Sequence, residues 1–334
     1  MDLKTLCEIN GTSGDEKRVR NALLEAARPL CTSVKIDRMG NVIAYKKGTG
    51  GSNRHLLFCA HMDEVGFIIL DATDDGLLMF RPVGGIDPRV AVSKYVVVGE
   101  KQVRGVIGAL AIHLQSREDR KRVLPWDGLY IDIGAKTKDE ALADCPPGSF
   151  VYFDNGYEPL GSGYAVSKAL DDRVGCYNLL RLLHADVTCD TWFAFTCQEE
   201  VGSRGAYGAA FRIQPDVALI LEGTTANDAG EQDETRKVCR LGKGVAVSFM
   251  DKASIAQPEL FAELLRLAEG SGIAHQVKMA VAGGNDSGPI QRTGCGAKVC
   301  VLSVPCRYIH SPSTVLCLED VEAQYLLAKA YLTR

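Results

Sequence analysis

The nine residues HLLFCAHMD, His55 to Asp63, decide the fold. The first six form a short apolar run that reads as a buried strand, and the run delivers a histidine and a carboxylate at its carboxyl end. The same event recurs down the chain. TWFAFT (191–196) is followed by Glu199-Glu200, DVALIL (216–221) by Glu222, and VLSVPCRYI (301–309) by His310. A fifth polar group, Asp171-Asp172-Arg173, stands at the head of a helical stretch.

Helices alternate with these strands. Ser13-Gly14-Asp15-Glu16 has the form of a capping box, and Val19, Leu23, Ala26 and Ala27 then share one helical face. Residues 173–185, 203–211, 258–268 and 318–332 have helical patterning, with Pro258 at a helix start. Residues 245–249 and 298–302 add strands. Strands alternating with helices predict an α/β sheet covered on both faces.

Residues 66–159 differ. GFIILDA, LLMFRPV, YVVVG, QVRGVIG, LYIDIGA and FVYFD are short strand-like runs, punctuated by Asp75-Gly76, Gly84-Gly85 and Asn155-Gly156. They predict a small β module inserted into the α/β domain, which is then residues 1–65 plus 160–334. The short strands of the module should leave sheet edges that need cover.

Composition sets the bounds. The chain has 334 residues, 46% of them hydrophobic, and a net charge of −4. That length suits two cores. A mildly acidic chain has no broad electrostatic claim on nucleic acid or an anionic membrane. The cluster Arg117 to Arg122 mixes both signs and reads as a solvated loop. The N-terminus carries early acids and no long apolar run, unlike a secretory signal, and no stretch is apolar enough to span a membrane. The 12 cysteines form no C-x-x-C pair, and Cys59, Cys197 and Cys300 sit in apolar runs. Reduced thiols in a cytoplasmic protein are the expectation.

Ligands of open α/β sheets collect at the carboxyl ends of strands. His61, Asp63, Asp171, Glu199, Glu200, Glu222 and His310 are therefore expected to converge. Carboxylates brought together repel one another, and divalent cations remove that cost. Imidazole and carboxylate donors without thiolate suit zinc or cobalt, with manganese also compatible. A bridging carboxylate can hold two ions and so activate a water. Each piece alone has an ordinary reading: a helix start for Glu199-Glu200, a cap for Asp171-Asp172, a turn for Asp63. His55, His113, His184 and His275 are read as surface or hydrogen-bonded histidines.

Five strings together resemble the tetrahedral-assembly (TET) metallo-aminopeptidases, which include glutamyl and deblocking aminopeptidases and cellulase M-like proteins. They are Ala60–Gly66 (AHMDEVG), Ala169–Gly175 (ALDDRVG), Gln198–Gly202 (QEEVG), Gly284-Asn285-Asp286 and Arg307–Pro312 (RYIHSP), and the likeness covers essentially the whole chain. It implies a mixed-sheet zinc-peptidase-type domain with an inserted β-barrel-like, PDZ-like domain for dimerisation. It implies two divalent metals. Asp171 would bridge them, Glu200 and His310 would complete one site, and His61 and Glu222 the other. Glu199 would be the general base. Asp63 would hydrogen-bond the other ring nitrogen of His61, and Asp172 would orient the bridge through a cis peptide. Many members have Asp where this chain has Glu222, so that ligand departs from the commoner pattern. The implied activity is hydrolysis of the N-terminal residue of short peptides, by dimers that build a tetrahedral dodecamer. The competing readings are an N-acyl amino acid deacylase using the same ligands and a non-catalytic scaffold. Arg292 and Lys298 are cations that could favour acidic side chains in the first substrate position.

Overall fold

The computed structural model describes residues 1–50, 52–230, 233 and 236–334. An eleven-stranded mixed sheet is the frame. Its main path runs Ser33–Ile36, Val42–Lys46, Cys189–Thr196, Ser52–His61, Val217–Thr225, Lys298–Arg307, Thr314–Cys317, Tyr164–Ser167, Glu158–Leu160. Val245–Ser248 and His275–Val277 branch from Lys298–Arg307. The strands ending at Thr196, His61, Thr225 and Arg307 are parallel neighbours. Thr196 stands level with His61, and Glu222 with Ser303. Four carboxyl ends therefore open on one edge.

The alternation of side chains across a strand explains why these strands are apolar throughout. Leu56, Phe58 and Ala60 face one way with Phe193, Leu219 and Leu302, against helices Lys17–Ala27, Leu170–Leu182, Pro258–Gly270 and Leu318–Leu332. Leu57 and Cys59 face the other way with Ala194, Ile220 and Val301, against Arg204–Ile213 and Ser287–Arg292. Phe58 and Phe193 stack at 5.7 Å between ring centres. Each such fully buried side chain contributes roughly 1.5–3 kcal/mol.

Strands between Gly66 and Phe153 close into a six-stranded antiparallel barrel. Phe67, Phe80, Phe153 and Trp126 pack edge to face inside it. Closure corrects the expectation of open edges: the first strand pairs with the last, so the barrel covers its own. The 117–122 cluster is exposed, as a solvated loop should be.

Other expectations need correction. Helix Lys17–Ala27 has Glu16 at its N-cap, but no side chain caps it. Ser13 bonds to the distant Asp63 carboxylate instead, and Glu16 accepts from the nearby Gly14 N–H and from the distant Gln198 N–H. The strands starting at Val217 and Lys298 run on to Thr225 and Arg307, so Glu222 lies within a strand rather than past its end. Helix Leu170–Leu182 starts three residues early and takes in Asp171 and Asp172, whose backbone angles are not helical.

A buried ionic network locks the N-terminal segment to the sheet edge. Arg173 is fully buried. Its guanidinium donates to the carbonyls of Leu6 (2.5 Å), Ile9 (2.8 Å) and Met62 (2.8 Å) and to the Glu64 carboxylate (3.2 Å). Glu64 also accepts from Lys168 Nζ at 2.8 Å and from the Gly11 N–H at 2.9 Å. Arg173→Met keeps the bulk and removes every donor. Breaking a buried pair this way costs about 3–5 kcal/mol. A clear fall in the urea midpoint is expected; an unchanged midpoint would show that the network does not hold the fold.

Candidate active site

The parallel strand ends bring the predicted residues together. His61, Asp171, Glu199, Glu200, Glu222 and His310 line one cavity of about 650 Å³. His55, His113, His184 and His275 do not line it. Several turns that aim these groups use left-handed backbone: Ala169, Gln198, Ser203, Tyr308 and His310 all have φ between +50° and +57°. Such residues cost on the order of 1–3 kcal/mol each and gather at functional sites. The Asp171–Asp172 peptide is cis, as the resemblance implied.

Asp171 is the centre of the geometry. Its Oδ1 lies 3.4 Å from His61 Nε2, and its Oδ2 lies 3.5 Å from His310 Nε2. His61 Nε2 also faces Glu222 Oε2 at 3.5 Å, and His310 Nε2 faces Glu200 Oε2 at 3.3 Å. These separations are too long for good hydrogen bonds. They match the edge of a tetrahedron of ligands about 2.0–2.1 Å from a cation, which is ~3.3–3.4 Å. His61, Asp171 and Glu200 each offer an atom within 4.8 Å of the others, and so do His61, Asp172 and Glu222. Asp171 Oδ1 and Asp172 Oδ2 are buried without a hydrogen-bond partner. An all-imidazole and carboxylate donor set with orphaned oxygens fits divalent cations.

The electrostatics agree. Burial pushes the Glu200 carboxyl up to about 8 and that of Glu222 up to about 7; nearby imidazoles oppose this and Asp171 adds to it. Burial also drives Glu199 and Asp172 well above the usual carboxylate range, with Glu222 reinforcing both. Burial works against charge on the imidazoles, but Asp171 and Glu200 raise His310 to about 9, and Glu222, Asp171 and Asp63 hold His61 well above the usual imidazole range. Asp171 stays below its usual range: burial opposes its charge, and the two imidazoles outweigh burial. The cluster is short of positive charge.

Each histidine is held from behind. His61 Nδ1–H donates to the Asp63 carbonyl at 3.1 Å, and His310 Nδ1–H donates to the Gly85 carbonyl at 2.9 Å. Both contacts turn Nε2 toward the carboxylates, as metal-binding histidines require. Asp63 is thus the residue at the other ring nitrogen of His61, through its backbone carbonyl; its carboxylate lies 3.6 Å from that nitrogen. The Asp63 carboxylate accepts from Ser13 Oγ (2.5 Å) and from the N–H groups of Glu199 (3.0 Å) and Glu200 (3.1 Å). Glu16 accepts from the N–H of Gln198 at 3.2 Å. Ser13 and Glu16 thus brace the turn that carries the paired glutamates. Glu199 is itself oriented by Ser203, whose hydroxyl donates to Oε1 at 3.0 Å.

Sequence reasoning gave Ser13 to a capping box, Gly85 to a turn and Ser203 to a helical stretch, and so missed the part all three play at the site. It also missed Lys278, which lines the cavity. Of the two cations it weighed, Arg292 lines the cavity and Lys298 does not.

A family model described as M42 glutamyl aminopeptidase matches residues 40–327. The chain belongs to that family. An aminopeptidase of the archaeon Desulfurococcus kamchatkensis superposes with a TM-score of 0.95 at 34% identity, covering 99% of this chain and 93% of that one. The TET1 peptidase of Pyrococcus horikoshii, which can assemble into a tetrahedron or a large octahedral shell, gives 0.87 at 34% identity, covering 99% and 98%. Lysyl aminopeptidase of Pyrococcus furiosus is 30% identical over 99% of this chain and 95% of its own. The TET metallo-aminopeptidase resemblance of the sequence motifs is thereby established, and the M42 chain described here is a peptide hydrolase by family. Among its described residues, no helix is long and apolar enough to cross a membrane.

Asp63→Asn tests the bracing of the glutamate turn. An amide can accept from one of the two backbone N–H groups but presents its own N–H₂ to the other. Leaving a buried donor unsatisfied costs about 1–3 kcal/mol. The unfolding free energy should fall by that amount and lower the denaturation midpoint with it, and a midpoint equal to wild type would remove Asp63 from this role.

Proposed function

We propose that the chain is a two-metal aminopeptidase that releases the N-terminal residue of short peptides. The observation that carries this reading is the arrangement about Asp171, each of whose oxygens faces one histidine Nε2 that also faces a glutamate. His61, Asp171 and Glu222 would hold one divalent cation, and His310, Asp171 and Glu200 the other. Zinc or cobalt suits these donors first, and manganese is compatible. When bound, such ions act as Lewis acids and lower the pKa of water.

The protein groups do the rest. Glu199 takes a proton from the attacking water and returns it to the leaving amine. Ser203 keeps the Glu199 carboxylate in place for both transfers. The carboxylates around the cavity attract the free α-ammonium of the substrate, which selects chain ends. Asp63 sets the backbone that presents Glu199 and Glu200 side by side, and Gly85 sets His310.

We place residues 66–159 as an assembly module on the α/β domain formed by 1–65 and 160–334. Leu110, Ile112, Leu114 and Val123 expose more than half of their surface on one barrel loop. Apolar groups presented this way mark contact surfaces. With TET1 as a structural neighbour, a homo-oligomer of dimers building a tetrahedral dodecamer is the assembly we favour. An enclosed chamber would admit short peptides and exclude folded proteins and nucleic acid. We assign the enzyme to the cytoplasm, where its free cysteines stay reduced.

Amino-acid anilides should be hydrolysed in the presence of zinc, cobalt or manganese, and N-acetylated amino acids should not. Glu199→Gln should bind metal normally yet lose about 10²–10⁴ in kcat. Activity on N-acetylated substrates alone, or near wild-type kcat in the variant, would overturn the reading.

Metal content separates the ligands. Asp171→Ala should lower occupancy of both sites, while His61→Ala and His310→Ala should each lose about one ion per chain. Two tight ions in purified Asp171→Ala would require another bridge.

A further inference from the structure

The charged lining of the cavity falls into two groups. His61, Asp171, Glu199, Glu200, Glu222 and His310 make up the cluster at the strand ends. The remaining charged residues along the cavity wall are Lys278 and Arg292, both cations. No acid outside the cluster lines it among the described residues.

Lys278 is the more telling of the two. It follows the strand His275–Val277, and its N–H donates to the Val247 carbonyl at 3.0 Å, which fixes its backbone to the sheet. The residue is only 7% exposed. Its ammonium has no hydrogen-bond or ion-pair partner among the described residues. The stem of Lys278 is buried, but its ammonium is not among the described side-chain atoms that are both buried and unpartnered, so it meets the water of the cavity, where a substrate anion can reach it. Arg292 ends the helix Ser287–Arg292. Its Nε donates to the Gly288 carbonyl at 3.0 Å, and its terminal nitrogens have no partner among the described residues.

The family does not decide the preferred side chain, since its description reads glutamyl and a full-length relative is a lysyl aminopeptidase. The wall chemistry does. A basic side chain entering the cavity meets like charge and finds no carboxylate outside the metal-binding cluster. An apolar side chain covers the Lys278 ammonium and leaves it unpaired. A carboxylate supplies the missing anion. We propose that Lys278, assisted by Arg292, is a specificity-determining residue that selects substrates whose first residue is glutamate or aspartate. The assignment rests on the aminopeptidase reading above.

The test uses the metal-loaded full-length enzyme and α-glutamyl, α-aspartyl, leucyl and lysyl anilides. Anilides lack a C-terminal carboxylate, so they isolate the side-chain contact. Wild type should favour glutamyl over leucyl and lysyl anilides by about tenfold or more in kcat/KM. Lys278→Met should lower the glutamyl-to-leucyl ratio by about tenfold, chiefly through KM, and Lys278→Glu should shift the preference toward lysyl anilide. Arg292→Gln, at an exposed position that the fold tolerates, should lower the same ratio less. Circular dichroism and metal content report whether each variant is folded. If Lys278→Met does not fold, the wild-type panel and Arg292→Gln still decide. Wild type that prefers leucyl or lysyl anilide would overturn the proposal while leaving the aminopeptidase reading intact. So would a Lys278→Met enzyme impaired on dipeptides and unchanged on anilides, because the ammonium would then serve the C-terminal carboxylate. Hydrolysis of no anilide by the metal-loaded enzyme would overturn both.

Discussion

Crowding of buried carboxyl groups around Asp171 is the constraint on which the rest of the structure depends. Glu199, Glu200, Glu222 and Asp172 all gain protons more readily than free carboxyls because they are taken out of water beside one another. Such a cluster does not hold itself together. The sheet supplies the force. Four parallel strands with apolar side chains on both faces point their ends at one place, and the packing energy of the core outweighs the local repulsion. The left-handed residues around the site are where the backbone absorbs the geometric demand.

Charge around the site is arranged by side. Behind the strand ends, Lys168 and Arg173 surround Glu64, so that the acid next to Asp63 is fully compensated by protein. In front, toward the cavity, two imidazoles are the cations paired with Asp171, Glu200 and Glu222 among the described residues. The protein neutralises the acids it buries behind the strand ends and leaves short of charge those that line the cavity. Lys278 follows the converse pattern: a cation on the open side without an acid of its own.

Much of this is legible in the sequence because the candidate ligands sit where hydrophobic runs stop. His61 and Glu222 each follow a short apolar run, and a run that ends in a ligand marks both strand and site at once. The β module was legible from its short strand-like runs and glycine turns, while its barrel-like form was implied only by the family resemblance. What failed was local reasoning where long-range partners win. Ser13 and Glu16 have the spacing of a capping box, yet their side chains brace a turn at Gln198 to Glu200 and the carboxylate of Asp63. Strand ends at Glu222 were drawn short because a glutamate reads as a terminator, whereas parallel pairing with Lys298–Arg307 carries the ladder past it. Lys278 sits in the string HQVKMA, whose letters say nothing about burial. Only the pairing of His275–Val277 with Val245–Ser248 places it against the cavity.

The bond from His310 to the Gly85 carbonyl spans 225 positions and crosses from the α/β domain to the inserted segment. An insertion of this kind is usually viewed as an exchangeable part, joined at two points and free to be shortened, swapped or deleted. Here it is not separable. The backbone of the insert aims a side chain that the host domain sends into the cavity. A graft that keeps both junctions and the host core would still leave that imidazole to choose its own rotation. The two segments are therefore coupled: a change in the loop at Gly84-Gly85 reaches the candidate site from outside it.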